Sequence, residues 1–256
     1  MVKFINYSGT KIKFIDIINN EINRSTNEIY VEPFLGSGSI FFNLEKEFEQ
    51  YILNDLDTNI IKMYKAFKNA TYSDFKDMED ICTIKYDIKN NKQDFYTFRN
   101  NVNKIEDEYY YGLGLFFLCN STINSMARFG PIGFNNSFGK RFRTLSKNDF
   151  NSIVSKLKRA EIYNTDFFNL NIPKENCLLF LDPPYMERPV AYKTITQDFF
   201  IKYINYLKEN KNNFIYTDTD HEYLKINKII LRENMYNTAP SSKKQKTKTE
   251  VMFLNY

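Results

Sequence analysis

Three short apolar runs, each closing at or just before an acid, constrain this chain more than anything else in it. EIYVEPF (28–34), YILND (51–55) and CLLFLD (177–182) have strand length and strand composition, and are too short for buried helices. The first is followed by a tight GSG (36–38) and then SIFFNLEKEF (39–48), which reads as a helix. The second is followed by TNIIKMYKAFKN (58–69), amphipathic at helical spacing. Strand, helix, strand, helix is the pattern of a parallel α/β sheet, in which ligands bind at the carboxyl ends of the strands.

The rest of the chain divides around that pattern. Residues 71–118 read as polar and helical, and NSMARFGPIGFNNSFGKRFR (124–143) as a long β-hairpin or ordered loop. Alternation resumes with a helix at 146–159, strands at 161–164 and 177–181, a helix at 196–210 and a strand at 213–217. A last strand pair falls at 228–234 and 249–255. The expected organisation is one discontinuous α/β domain, 1–55 and 151–256, interrupted by an inserted module at 56–150. LFFL (115–118) reads as core.

Charge tolerates a nucleic-acid partner without demanding one: 35 Lys and Arg against 31 Asp and Glu leave a net +4. The distribution is more telling. Lys140, Arg141, Arg143, Lys147, Lys156, Lys158 and Arg159 crowd one segment, and Lys243, Lys244, Lys246 and Lys248 another. Cys82, Cys119 and Cys177 are widely spaced and share the chain with a single histidine, so no metal site is expected. That histidine, His221, follows Asp220 where a helix could start, and a surface or capping role suits it better than catalysis. With no leader pattern and no apolar run of membrane length, a cytosolic protein with reduced thiols and no membrane partner is expected.

Glu32, Asp55, Asp166 and Asp182 all fall at or just past expected strand ends. Glycines at 36 and 38 let a backbone approach a ligand closely, and Asp55 stands where an acid grips ribose hydroxyls in nucleotide-binding folds. Glu32 at the mouth of that loop would repel a pyrophosphate but suit S-adenosylmethionine, which carries an ammonium and a sulfonium and no phosphate. Taken alone, GSG fits a plain strand-to-helix turn equally well, and Asp55 fits a helix cap.

Asp182-Pro183-Pro184-Tyr185 is more specific. Two prolines fix φ and remove N–H donors, leaving an extended stretch that only accepts. Asp182 and the Pro183 carbonyl can accept both hydrogens of one amino group, drawing its nitrogen toward sp³ and freeing the lone pair. Tyr185 offers a face for a flat base. A base inside a duplex could not reach such a pocket, so the target must be flipped out or single-stranded.

With the preceding Phe34, Gly36 and Gly38, this motif resembles the amino-methyltransferases of DNA, most closely the Dam-type N6-adenine enzymes of bacteria and phages. The likeness runs from Tyr7 to Tyr256. YSGTK (7–11) resembles the family's N-terminal cofactor segment, which implies that Tyr7 and Lys11 approach the methionine moiety. VEPFLGSGS (31–39) resembles its cofactor loop, with Ser37 included; ILND (52–55) resembles its ribose acid and TDF (165–167) its adenine-flanking Asp166 and Phe167, and Asp182 is implied to touch the cofactor as well. AYKTITQDFF (191–200) implies that Tyr192 lines the target pocket with Tyr185. The order of motifs is that of the α group, which makes the inserted module the DNA reader. In it, NSMARFGPIGFNNSFGKR resembles the recognition hairpin. The resemblance implies guanine readout by Arg128, with Asn124, Met126 and Asn135 beside it, and phosphate contacts by Lys140, Arg141 and Arg143.

The resemblance implies S-adenosylmethionine as cofactor, S-adenosylhomocysteine as product, double-stranded DNA as partner and a GATC-like site. Ser137 in place of proline and Gly130 in place of asparagine unsettle that site. TDTD (217–220) replaces a more usual Ser-Asn pair, and none of these departures is expected to touch the transfer chemistry. With no room for a nuclease domain, any cognate restriction endonuclease would be a separate protein. A cytosine C5 enzyme is disfavoured, since no cysteine follows a proline. N4-cytosine transfer, and a DNA-binding descendant without activity, stay open.

Overall fold

The computed structural model describes residues 1–5, 7, 9–123, 127–184, 196–237 and 245–256, with the side chains of 233–237 and 245–248 excepted. The chain runs α1 (Ile15–Arg24), β1 (Ile29–Glu32), β2 (Gln50–Asn54), α2 (Thr58–Asn69), α3 (Tyr72–Asp80), α4 (Lys92–Val102) and α5 (Glu108–Cys119). A small hairpin follows, β3 (Phe129–Gly130) and β4 (Gly133–Phe134). Then come α6 (Lys147–Lys158), β5 (Ala160–Tyr163), β6 (Cys177–Leu181), α7 (Gln197–Glu209), β7 (Asn213–Thr219), β8 (Asn227–Asn237) and β9 (Gln245–Leu254).

Seven strands form one sheet in the order β5-β2-β1-β6-β7-β9-β8, parallel except that β9 runs against both its neighbours. From β1 the chain builds outward through β2 and β5, then crosses back to β6 and builds the other way. The crevice outside β1 and β6 is therefore the switch point, where a doubly wound sheet binds ligands. Register decides which residues meet there: Val31 pairs with both Ile52 and Leu179, and Leu181 pairs with Tyr216.

Strand alternation splits the apolar residues into two cores. Tyr30, Leu53, Leu178 and Phe180 face Ile18 and Ile22 of α1, Tyr64 of α2 and Ile153 of α6. Val31, Leu179, Leu181 and Phe214 face Tyr203, Ile204 and Leu207 of α7. The first core continues without a break into Phe75, Phe95, Phe98 and the wholly buried Leu115–Leu118 run, so the segment after β2 is packed onto the sheet rather than tethered to it. Polar side chains set the helix starts: Asp57 caps α2, Thr71 and Asp74 form a capping box on α3, and Asn91, Asp107, Ser146 and Thr196 cap α4, α5, α6 and α7.

The expected helix at 39–48 does not form. Only Phe41–Asn43 make a short 3₁₀ turn, and the backbone turns extended at Leu44. Ile40, Phe41, Phe42, Leu44 and Phe48 are all buried, more than one helix face can cover. The carbonyls a helix would satisfy internally accept tertiary donors instead: Lys156 Nζ on Phe42 and Leu44, Asn19 Nδ2 on Asn43, and Arg159 on Phe48. Conversely, α1 was not anticipated, although Ile15, Ile18 and Ile22 follow helical spacing.

Candidate active site

A cavity of about 840 Å³ opens at the switch point. Tyr7, Lys11, Glu32, Phe34, Gly36, Ser37, Asp55, Asp166, Phe167, Asp182, Pro183 and Pro184 all line it. Tyr7 and Pro184, 177 positions apart in sequence, are thus brought to one cavity.

The loop after β1 is shaped by its glycines. Gly36 and Gly38 have φ of +46° and +63°, a region ordinary side chains avoid. The Gly36 N–H donates to Asp55 Oδ2 at 2.7 Å, and its carbonyl accepts from Tyr64 OH at 2.9 Å. The Tyr7 ring packs over Gly36, where an added Cβ would sit 3.3 Å from it. Gly38 does not line the cavity: a Cβ there would meet Tyr64 OH at 2.8 Å and the Phe42 ring at 2.9 Å, so this glycine permits close packing beneath the loop.

Two acids on this side are electrostatically unusual. Glu32 is buried and accepts from Tyr30 OH at 2.7 Å. Burial raises its carboxyl to about 8, Asp182 and Asp55 push the same way, and hydrogen bonds from Tyr30 and the Phe41 N–H oppose them. Glu32 is therefore largely protonated at neutral pH until a cation stands beside it. Burial likewise raises Asp55 to about 6, against hydrogen bonds from the N–H groups of Asp57 and Gly36. Asp57, not Asp55, caps α2. Asp166 caps the 3₁₀ turn at Phe167–Asn169, and Phe34 stacks on Phe167 at 5.3 Å and 20°, an apolar floor for a flat ring.

Beside these acids Asp182 follows the last residue of the wholly buried β6. Lys11 Nζ, 4% exposed, donates to its two carboxylate oxygens at 2.7 and 2.8 Å and to the Gly9 carbonyl at 3.1 Å. Lys11 thus holds the acid of the DPP stretch in addition to lining the cavity. Glu250 of β9 lies 3.6 Å from Lys11, and Arg232 of β8 lies 3.5 Å from Glu250. Thr217 Oγ1 donates to Asp182 Oδ1 at 2.8 Å, so the TDTD departure does touch the residue expected to carry the chemistry.

A chain-wide likeness fits this arrangement. A family model described as D12 class N6 adenine-specific DNA methyltransferase matches residues 7–239. The chain belongs to the D12 class. The D12 chain is 26% identical over 185 residues to a protein named DNA adenine methylase from Serratia marcescens, covering 71% of this chain and 66% of that one. It is 25% identical over 185 residues to a protein of the same name from Escherichia coli K12, covering 71% and 64%. Modification methylase StsI from Streptococcus sanguinis is 25% identical over an alignment spanning 98% of this chain and 42% of that protein. The D12 chain thus spans about two thirds or less of the length of the curated relatives it matches.

The hairpin of this D12 protein stands at the cavity's edge. Ala127 and Phe129 line the cavity, and Arg128 between them is exposed, its Nε donating to Asn135 Oδ1 at 2.9 Å. Only two residue pairs join β3 and β4, so side chains do much of the bracing. Asn103 of the loop after α4 both donates to the Phe134 carbonyl and accepts from its N–H, each at 2.9 Å. The Ser137 N–H donates to Asn136 Oδ1, a bond that a proline there would forfeit, and Asn135 Nδ2 occupies the space a side chain at Gly130 would need. Lys140 and Arg141 are exposed and Arg143 is half-buried. Asn124, Met126, Tyr185, Tyr192, Lys243 and Lys244, with the side chains of Lys246 and Lys248, lie outside the described residues.

His221 does not cap a helix at the surface. No helix follows Asp220, and the ring stacks on Phe253 at 4.7 Å and 20° with Phe200 edge-on, so burial lowers its pKa. The three cysteines are buried and unbridged. Among the described residues no group of three or more His, Cys, Asp or Glu could hold a metal, and no helix is long and apolar enough to cross a membrane.

The contribution of Phe129, Thr217, Arg232 and Glu250 was not anticipated. TDTD departs from the resembling pattern, but only the pairing of β6 with β7 assigns Thr217 a partner. Nothing in the local sequence ties Arg232 and Glu250 to residue 11; that requires the antiparallel insertion of β9.

Proposed function

We propose that this protein is a site-specific DNA adenine-N6 methyltransferase that uses S-adenosylmethionine and acts on an adenine flipped out of duplex DNA. The observation that carries the reading is that Asp182, Pro183 and Pro184 line the same cavity as the glycine loop, Glu32 and Asp55. Membership of the D12 class supports the same reaction.

The residues suit the cofactor. Two buried acids stabilise positive charge better than phosphate, the stacked Phe34 and Phe167 suit an adenine ring, and the positive-φ loop brings backbone close to a ligand. When bound, S-adenosylmethionine supplies an electrophilic methyl on a sulfonium. Tyr7, Lys11, Glu32, Phe34, Gly36, Ser37, Asp55, Asp166 and Phe167 would hold it, with Gly38 letting the loop pack close.

The chain's own task is to hold the amine. Asp182 and the Pro183 carbonyl accept its two hydrogens, Pro184 keeps that stretch extended, and Tyr185 and Tyr192 complete the base pocket. An acceptor-only pair pulls the nitrogen toward sp³ and aims its lone pair, and alignment then supplies much of the acceleration. We assign DNA reading to residues 56–150. Arg128 contacts guanine with Asn124, Met126 and Asn135 beside it, Lys140, Arg141 and Arg143 hold phosphate, and Ala127 and Phe129 carry the hairpin's position to the cavity.

Nucleoside mass spectrometry on unmethylated duplex DNA, incubated with protein and S-adenosylmethionine, tests this directly. Wild type should form N6-methyladenine, and Asp182→Ala should fall by on the order of 10²–10³-fold or more with cofactor binding retained. N4-methylcytosine would transfer the reading to the cytosine reaction. An unmethylated product despite cofactor binding, or an active Asp182→Ala, would overturn it.

A further inference from the structure

We propose that Thr217 is a positioning residue for methyl transfer: its hydroxyl breaks the symmetry of the Asp182 carboxylate and leaves one defined oxygen position for the amine. The inference rests on the reading of Asp182 given above.

The placement follows from register. Leu181 pairs with Tyr216 in the parallel β6–β7 ladder, so the next residues, Asp182 and Thr217, stand side by side. Thr217 is wholly buried, and its Oγ1 lies 2.8 Å from Asp182 Oδ1 and 3.4 Å from the Leu181 carbonyl oxygen. A hydroxyl has one proton to give, and the shorter, charge-assisted contact takes it.

Counting acceptor positions shows why this matters. An ionised carboxylate offers about four lone-pair positions. Lys11 Nζ takes one on each oxygen, at 2.7 and 2.8 Å, and so cannot distinguish them. Thr217 takes a second position on Oδ1 alone. One position remains, on Oδ2. An exocyclic amine brings two hydrogens, so Asp182 receives one and the Pro183 carbonyl the other, which fixes the direction of the nitrogen lone pair. Without the hydroxyl both oxygens become equivalent acceptors, and the amine can bind in orientations that do not aim the lone pair.

Valine at 217 keeps the shape of threonine and removes the donor; serine keeps the donor and removes a methyl. Single-turnover transfer to duplex DNA, cofactor dissociation constant and melting temperature would be measured for both. Thr217→Val should slow transfer by on the order of 10²-fold at saturating DNA and cofactor, the cost of a small misplacement of a reacting group. Its cofactor affinity should stay within about threefold, and Thr217→Ser should recover most of the rate, since the donor is what counts. A Thr217→Val enzyme as fast as wild type overturns the proposal. So does a parallel fall in rate, cofactor affinity and melting temperature that serine does not rescue, because that marks a packing role. Absence of any methylated base with the wild type would remove the reading of Asp182 and this inference together, whereas an active wild type with unaffected Thr217→Val removes the inference alone.

Discussion

The cavity wall and the hairpin are built on opposite principles. Glu32 ends β1, Asp55 and Asp182 follow β2 and β6, and these register-locked strands set the acids against fixed partners: Tyr30 for Glu32, the Gly36 N–H for Asp55, and Lys11 and Thr217 for Asp182. The hairpin has two paired residues per strand, an exposed Arg128, and side-chain braces from Asn103 and Arg99 of another segment. The first arrangement resists displacement and suits chemistry that fails with small misalignment. In the second, Ala127 and Phe134 are anchored in the core while Arg128 stays exposed and cheap to alter, which suits a surface that reads a sequence.

That contrast can be broken at its stiff end first. Gly38→Ala places a Cβ at φ +63° against Tyr64 and Phe42, and should cost about 2–4 kcal/mol of stability, visible in thermal melting. A fall below about 0.5 kcal/mol would show that the loop gives way easily. At the loose end, Arg128→Ala should lower discrimination between the preferred site and single-base variants by roughly 5–150-fold, the worth of one bidentate guanine contact, with cofactor affinity unchanged. Unaltered discrimination in competitive methylation assays would take base readout away from Arg128. Asn103→Ala should weaken DNA binding through the hairpin alone, by about 1 kcal/mol, with the melting temperature little affected. Coupled loss of cofactor binding would show that the two regions are not separable.

A pH-dependent effect concerns Glu32. The unfolded chain ionises this carboxyl near its ordinary value, so the folded protein holds an extra proton from there up to about 8. Stability of the unliganded protein should therefore decline as pH rises through that window. Cofactor affinity should move the opposite way, rising roughly tenfold from pH 7 to 8.5, because a cationic ligand favours ionised Glu32. Calorimetry in buffers of different ionisation enthalpy would register proton release on binding, and Glu32→Gln should abolish it. A flat pH profile would mean that Glu32 does not face the cation.

Much of the sheet was legible because strands betray themselves by run length and flanking acids; β2, β6 and α7 fall within a residue or two of where the pattern puts them. The segment 39–48 misled because its apolar content suits a helix, while its burial on several sides and its tertiary hydrogen-bond donors are invisible locally. His221 misled for a related reason: a polar residue beside an acid suggests surface, but the ring is enclosed by aromatic residues brought from α7 and β9.

By itself the sequence determined the alternation of elements, the acids at strand ends and the acceptor-only DPP stretch, since each depends on residues a few positions apart. Tertiary structure alone decided that Lys11 and Thr217 share the Asp182 carboxylate, that Glu32 is buried deeply enough to keep its proton, and that Gly38 packs closely on Tyr64 and Phe42. Those outcomes depend on which strands become neighbours and in what register. Hydrogen bonds and desolvation act over a few ångströms of space, whatever the separation along the chain.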